Sequence, residues 1–260
     1  MDRMPLTIRS LLAIAASCFS LTCVAQEAPA APAIDPNVIK ALDNMGEYLR
    51  TLNTFEIRTA SVTDALLGDD QTAQYGSTAI LKVHRPNQLQ ADTTNDRGDH
   101  KLLYYNGRTT TVYGPDTKFY ATVQAPPTLK DLVQVLAQKY GIEVPLTDLF
   151  YWGTEKISTS DIKSADYLGE ALVDGHSTSH YAIREKDIDW QIWIDNGNKP
   201  LPRKMVITTT SEKTHPQHAT LIRWDLTPSF AAGTFDFKAP AGSHRIAIET
   251  ADGKIDSVDH

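Results

Sequence analysis

Apolar residues recur at Val38, Leu42, Met45, Leu49 and Leu52, while Lys40, Asp43, Glu47 and Arg50 take the other faces. This spacing predicts an amphipathic helix with one apolar stripe, opened by Asp35 as N-cap and Pro36 at the first helical position. After Asn53 the period drops to two. Phe55, Ile57 and Thr59 alternate with Glu56 and Arg58, then apolar runs at 80–83 and 89–93 predict two further strands. The stretch "LLYYNGRTTTVYGPDTKFYAT" adds strands near 102–105, 109–113 and 118–122, separated by Asn106-Gly107 and Gly114-Pro115-Asp116. A second helix is predicted from Thr128, as N-cap, to Gly141, with Leu129, Leu132, Val133 and Leu136 on its apolar side. "PLTDLFYW", 145–152, predicts a short helical turn with exposed aromatics.

The last third returns to period two, with strands predicted at 167–173, 179–184, 189–195, 204–210, 219–226 and 234–238. Asp174-Gly175 and Asn196-Gly197 read as hairpin turns. In "DIDWQIWID" Ile188, Trp190, Ile192 and Ile194 share one face, and Asp189, Gln191, Trp193 and Asp195 the other. The order is helix, strands, helices, strands: an α+β chain, mostly antiparallel β, whose long sheet curls under a few helices.

The N-terminus reads as an address. Arg3 and Arg9 precede a short apolar run, and Cys23-Val24-Ala25 offers small residues for a signal peptidase, so residues 1–25 are an export signal cleaved after Ala25. The expected location is the periplasm. A lipid anchor at Cys18 or Cys23 is the lesser alternative, because neither cysteine follows the usual apolar residue three positions earlier. The Pro-rich "QEAPAAPA" is a disordered tether within 26–34, 35–248 forms a single domain, and 249–260 is a loose polar tail. Both cysteines of the chain lie in the signal, so the mature protein has no disulfide, thiolate nucleophile or cysteine-bound metal. A formal charge of −7 argues against nucleic acid. The apolar run of the signal is too short to predict an integral membrane protein.

Candidate chemistry is sparse. Gly175-His176-Ser177-Thr178-Ser179 approaches a nucleophile elbow, but a strand follows it where the motif needs a helix. His176 and His180, four apart on a strand, sit roughly 13 Å apart, too far to share one ion. His215 and His218 lack a third ligand, and Asp92, Asp96, Asp99 and His100 read as a polar hairpin loop. No phosphate-binding glycine loop is present. The chain is therefore read as a non-enzyme without cofactor or metal.

"RPNQLQAD", "YYNGRTTTVYGPDTKFYAT", "TLKDLVQVLAQKYGIEVPLTDLFYW", "DWQIWID…KPLPRKMVITT" and "FDFKAP" follow one another in an order that resembles a family of predicted bacterial periplasmic proteins with no assigned activity. The likeness runs from about Asp35 to about Ile248. That family is distantly similar to outer-membrane lipoprotein carriers, most clearly from Trp190 to Asp195 with Gly197 and Pro202-Arg203-Lys204. The resemblance implies a half-open β-barrel, a cup covered by helices, and an acyl-type ligand inside.

The expected function is a periplasmic binding protein or carrier for an acyl chain, a lipid or a lipidated protein. The alternative is an envelope sensory or protein-interaction module on the same fold, with an envelope protein as partner. Candidate cavity residues are Leu42, Met45 and Leu49 on the lid helix, with Phe55, Ile57, Trp190, Ile192 and Tyr104 on the wall. Of Tyr104 and Tyr105, whichever faces inward lines the cup, and Tyr104 is the candidate named. An apolar cavity favours the carrier. A filled core with exposed aromatics near Phe150, Tyr151 and Trp152 favours the module, and convergent buried carboxylates or histidines an enzyme.

Overall fold

The computed structural model describes residues 34–256, apart from 143, 145, 148–151 and 153–158. The expected export signal with Cys18 and Cys23, the expected tether up to residue 33, Phe150 and Tyr151 lie outside the described residues, as does most of 145–152.

Helix α1 spans Pro36–Thr51, and the Asp35 carboxylate accepts the Asn37 amide at its start. Its buried positions are Val38, Leu42, Met45, Gly46 and Leu49, the stripe that spacing predicts. Helix α2 spans Leu129–Tyr140, capped by Thr128, whose hydroxyl accepts the Asp131 amide at 3.2 Å. Gly141 ends it at φ +63°, a conformation that suits a residue without Cβ.

Twelve strands form one sheet: β1 Thr54–Leu66, β2 Thr72–His84, β3 Gln88–Asn95, β4 His100–Tyr105, β5 Thr109–Gly114, β6 Phe119–Gln124, β7 Ser164–Val173, β8 His176–Arg184, β9 Ile188–Asp195, β10 Pro202–Thr209, β11 Gln217–Asp225 and β12 His244–Arg245. Their spatial order is β12-β6-β5-β4-β3-β2-β1-β11-β10-β9-β8-β7. Each pair is antiparallel except β12 with β6. The first half winds outward from β1, and the second half returns to it through β11. The edge strands β12 and β7 do not pair with each other, so the curled sheet is a half-open barrel.

One face of the sheet carries the main core. Cross-strand rows Tyr105–Leu89–Val83–Phe55 and Leu103–Ala91–Leu81–Ile57 bury against the α1 stripe and against Leu132 and Leu136 of α2. Trp190, Ile192 and Ile194 join from the other half. On the opposite face Trp193 lies between the His180 ring, stacked at 3.9 Å, and the Lys204 ammonium at 4.6 Å.

Two expectations change. No strand forms at 234–238. There the Thr234 and Asp236 amides donate to the Ala231 and Gly233 carbonyls, making tight turns instead of a ladder. The alternating Phe235 and Phe237 are used as plugs: Phe237 packs on the Tyr104, Tyr113 and Tyr120 rings at 4.9–5.5 Å. The loose tail is also corrected over its described part. β13 Ile248–Glu249 pairs with β14 Ile255–Asp256, the Ala251 amide donates to the Lys139 carbonyl, and Asp256 accepts from Lys139 and Tyr140 on α2. A polar composition did not keep this segment loose, because its carboxylate and amides find partners on a helix end.

Candidate functional site

The inner face of the sheet changes character along its strands. Beyond the apolar rows under the helices, the next row is Lys101–Thr93–Ala79–Thr59–Ile222. The one after is Asn95–Ser77–Ser61–Thr220–Met205, followed by Tyr75–Thr63–His218–Ile207. Strand alternation places all of these on the face that also buries Phe55 and Ile57. Side chains this short and polar do not fill the curve of the sheet as Leu and Phe do at the other end.

A cavity of about 840 Å³ results, lined by most of these rows, though not by Ile222, Thr63 or Tyr75, on one side and by Val133, Ala137, Val144 and Leu146 on the other. Its volume falls within the roughly 300–1,000 Å³ usual for small-molecule sites. The floor is oxygen-rich and the roof apolar. Leu146 holds φ +61°, a left-handed conformation costly for a branched side chain, at the rim of this cavity.

The floor is internally hydrogen-bonded. The Ser61 and Thr220 hydroxyls meet at 2.9 Å, Thr220 meets His218 Nε2 at 2.8 Å, and His218 Nδ1 meets Thr63 at 2.7 Å. Burial holds the His218 imidazole below its ordinary pKa, which keeps it neutral at pH 7. One ring nitrogen then donates and the other accepts, matching hydroxyl groups that can do either.

The sequence-predicted cavity residues divide differently. Leu42, Met45, Leu49, Phe55, Ile57, Trp190 and Ile192 come together, but as the packed core beneath α1. None of them lines the cavity. Tyr104 is a correction: it lies on the outer face against Phe237, and its neighbour Tyr105 is the inward one. The Tyr105 hydroxyl donates to the Pro126 carbonyl at 2.7 Å, and burial, with Asp131 nearby, pushes its pKa up to about 12. A one-residue shift in register exchanges the two faces, and a Tyr-Tyr pair gives no pattern to fix it.

Trp152 is buried, not exposed. Its carbonyl accepts from Arg50, its indole donates to Asp43 at 3.2 Å, and its ring meets Trp190 edge-on at 5.5 Å. The hydroxyl floor was missed by sequence reasoning, and His218, weighed there only with His215 as a metal pair, lines the cavity from β11. The signal for the floor was available in the ends of the long strands, where Thr59, Ser61 and Thr63 continue the alternation begun by Phe55 and Ile57 with small polar groups. Among the described residues no group of three or more His, Cys, Asp or Glu is placed to hold a metal ion. No described helix is long and apolar enough to cross a membrane.

A family model described as "Predicted periplasmic protein (DUF2092)" matches residues 39–249. No curated protein matches the sequence. Among solved structures, the Mycobacterium tuberculosis lipoprotein LppX is similar at 12% identity, over 75% of this chain and 98% of that one, with a TM-score of 0.48. LprF from Mycobacterium bovis is similar at 13% identity, over 82% and 100%, with a TM-score of 0.45. The Pseudomonas aeruginosa MucA/MucB complex follows at 13% identity, over 78% and 62%, with a TM-score of 0.43. At these scores the likeness decides neither ligand nor partner.

Proposed function

Because the chain belongs to this family of predicted periplasmic proteins, we propose that it works in the periplasm as a non-enzymatic binding protein or carrier. Its ligand is an amphiphile, held between the inner face of the sheet and α2. The observation that carries this reading is the cavity of about 840 Å³ at the unfilled half of the cup. The half under α1 is closed by packing, so the site is displaced along the strands toward the hydroxyl rows. An apolar chain lying under Val133, Ala137, Val144 and Leu146 would gain roughly 0.8 kcal/mol per buried methylene, with the floor hydroxyls taking oxygen atoms that a wholly apolar cup would reject.

Native mass spectrometry of the protein purified from the periplasm, with lipid extraction in parallel, tests the proposal. The expected result is a stoichiometric adduct that disappears on extraction and contains an acyl chain. A clean apo mass in the same preparation, with no lipid in the extract, would overturn it.

A further inference from the structure

The lining of the cavity is graded across the sheet. At its β3–β4 end stand Arg97, Asp99 and Lys101, in its middle Thr93, Ser77, Ser61 and Thr220, and at its β10 end Met205 and Ile207. From β4 to β10 is five strand spacings, ~24 Å, the scale of a long acyl chain lying crosswise to the strands. Charge, then hydroxyl, then hydrocarbon is the order of groups in a single-chain ionic lipid: head, oxygen-bearing linker, tail.

The charged end has a sign. Neither Arg97 nor Lys101 forms an ion pair with a described residue. Arg97 lies over the Tyr75 ring at 4.8 Å, which leaves its guanidinium edge open to hydrogen bonding. Of the acids in the same hairpin, Asp99 accepts from the Asn95 side chain at 2.8 Å, and Asp96 accepts the Gly76 amide at 2.6 Å. Asp92 is engaged by His100 at 2.9 Å. Asp92 and Asp96 lie outside the lining and Asp99 within it, so one carboxylate shares this end with two cations that form no ion pair among the described residues. The cavity lining at this end carries two cations, Arg97 and Lys101, against one carboxylate, Asp99, a small positive excess in a chain of net charge −7.

Resting on the binding role proposed above, we infer that the ligand is a single-chain anionic lipid. Its carboxylate or phosphate head sits against Arg97 and Lys101, its linker on the hydroxyl rows, and its tail on Met205 and Ile207 beneath α2. Arg97 supplies a planar fork and Lys101 a point charge, a combination that suits either oxyanion.

The test is equilibrium binding of three probes of equal chain length: a fatty acid, an alkyl phosphate and the uncharged alcohol. They are titrated at low and high salt into the wild-type chain and into the Arg97→Gln/Lys101→Gln variant. Both substitutions lie on an exposed hairpin outside the core. The wild-type protein is expected to bind at least one anion about five- to tenfold more tightly than the alcohol. That advantage shrinks in high salt and is lost in the variant, while the alcohol's affinity stays the same. The stronger of the two anions tells carboxylate from phosphate. Equal binding of alcohol and anions by the wild type would overturn the head-group assignment and leave the cavity reading standing. Failure of all three probes to bind would overturn both.

Discussion

At the scale of single residues, the fold turns on a few close approaches. Gly46 lies inside α1, where glycine ordinarily costs about 0.5–1 kcal/mol relative to alanine. A Cβ there would stand 2.6 Å from the Trp152 carbonyl oxygen, an atom also bound by Arg50. Gly46→Ala should therefore destabilise the protein, by about 1–3 kcal/mol in urea unfolding, where an open helix site would show a gain. Tyr105 gives a prediction with a pH sign. Its phenol is raised to about 12 in the folded chain, so the folded state disfavours the phenolate. The stability it contributes is complete below its unfolded value of roughly 10 and is lost as pH rises from there through about 12. Tyr105→Phe should lose about 1 kcal/mol at pH 7 from the missing hydrogen bond. It should also flatten the alkaline fall in stability that the wild type shows between those values.

At the scale of elements, α2 borders the cavity and the C-terminal hairpin ties down its last turn. The helix presents Leu132 and Leu136 to the core and Val133 and Ala137 to the cavity, so its position sets the width of the site. Its last turn is tied to β14 through Asp256, which accepts from Lys139 and from the Tyr140 hydroxyl. Asp256→Asn should raise amide exchange in 136–141 several-fold and leave the α1 core unchanged, as read by hydrogen–deuterium exchange. The elements themselves were mostly legible in the sequence. Asp35-Pro36, Thr128 and Gly141 marked helix ends, and Asp174-Gly175, both at positive φ, marked a hairpin. What could not be read was where a strand's own alternation stops meaning core. Phe55 and Ile57 are core, whereas Thr59, Ser61 and Thr63 on the same face of β1 line or flank a space, and strand periodicity is blind to that change. Phe235 and Phe237 alternate like a strand and are plugs, because glycine and proline on either side turn the backbone away from a ladder.

At the scale of the whole molecule, the sheet is a cup of two halves. One is filled by α1 and by the apolar residues that sequence analysis assigned to the cavity. The other, bounded by α2, is open and lined with hydroxyls, His218, Asp99 and the cations Arg97 and Lys101. The proposed site is therefore an edge-lit groove of mixed polarity and not the apolar interior expected of a simple lipid cup. Ala137 is the position that separates these views, since it is exposed on α2 and lines the cavity without entering the core. The most direct measurement is the titration of a fluorescent long-chain fatty acid into the wild-type protein and Ala137→Trp, with Met45→Leu as a core control. The expected result is saturable binding near one probe per chain, weakened about tenfold or more by Ala137→Trp and unaffected by Met45→Leu. Binding lost in the core variant and kept in Ala137→Trp, or no saturable binding at all, would contradict a ligand site between α2 and the hydroxyl rows.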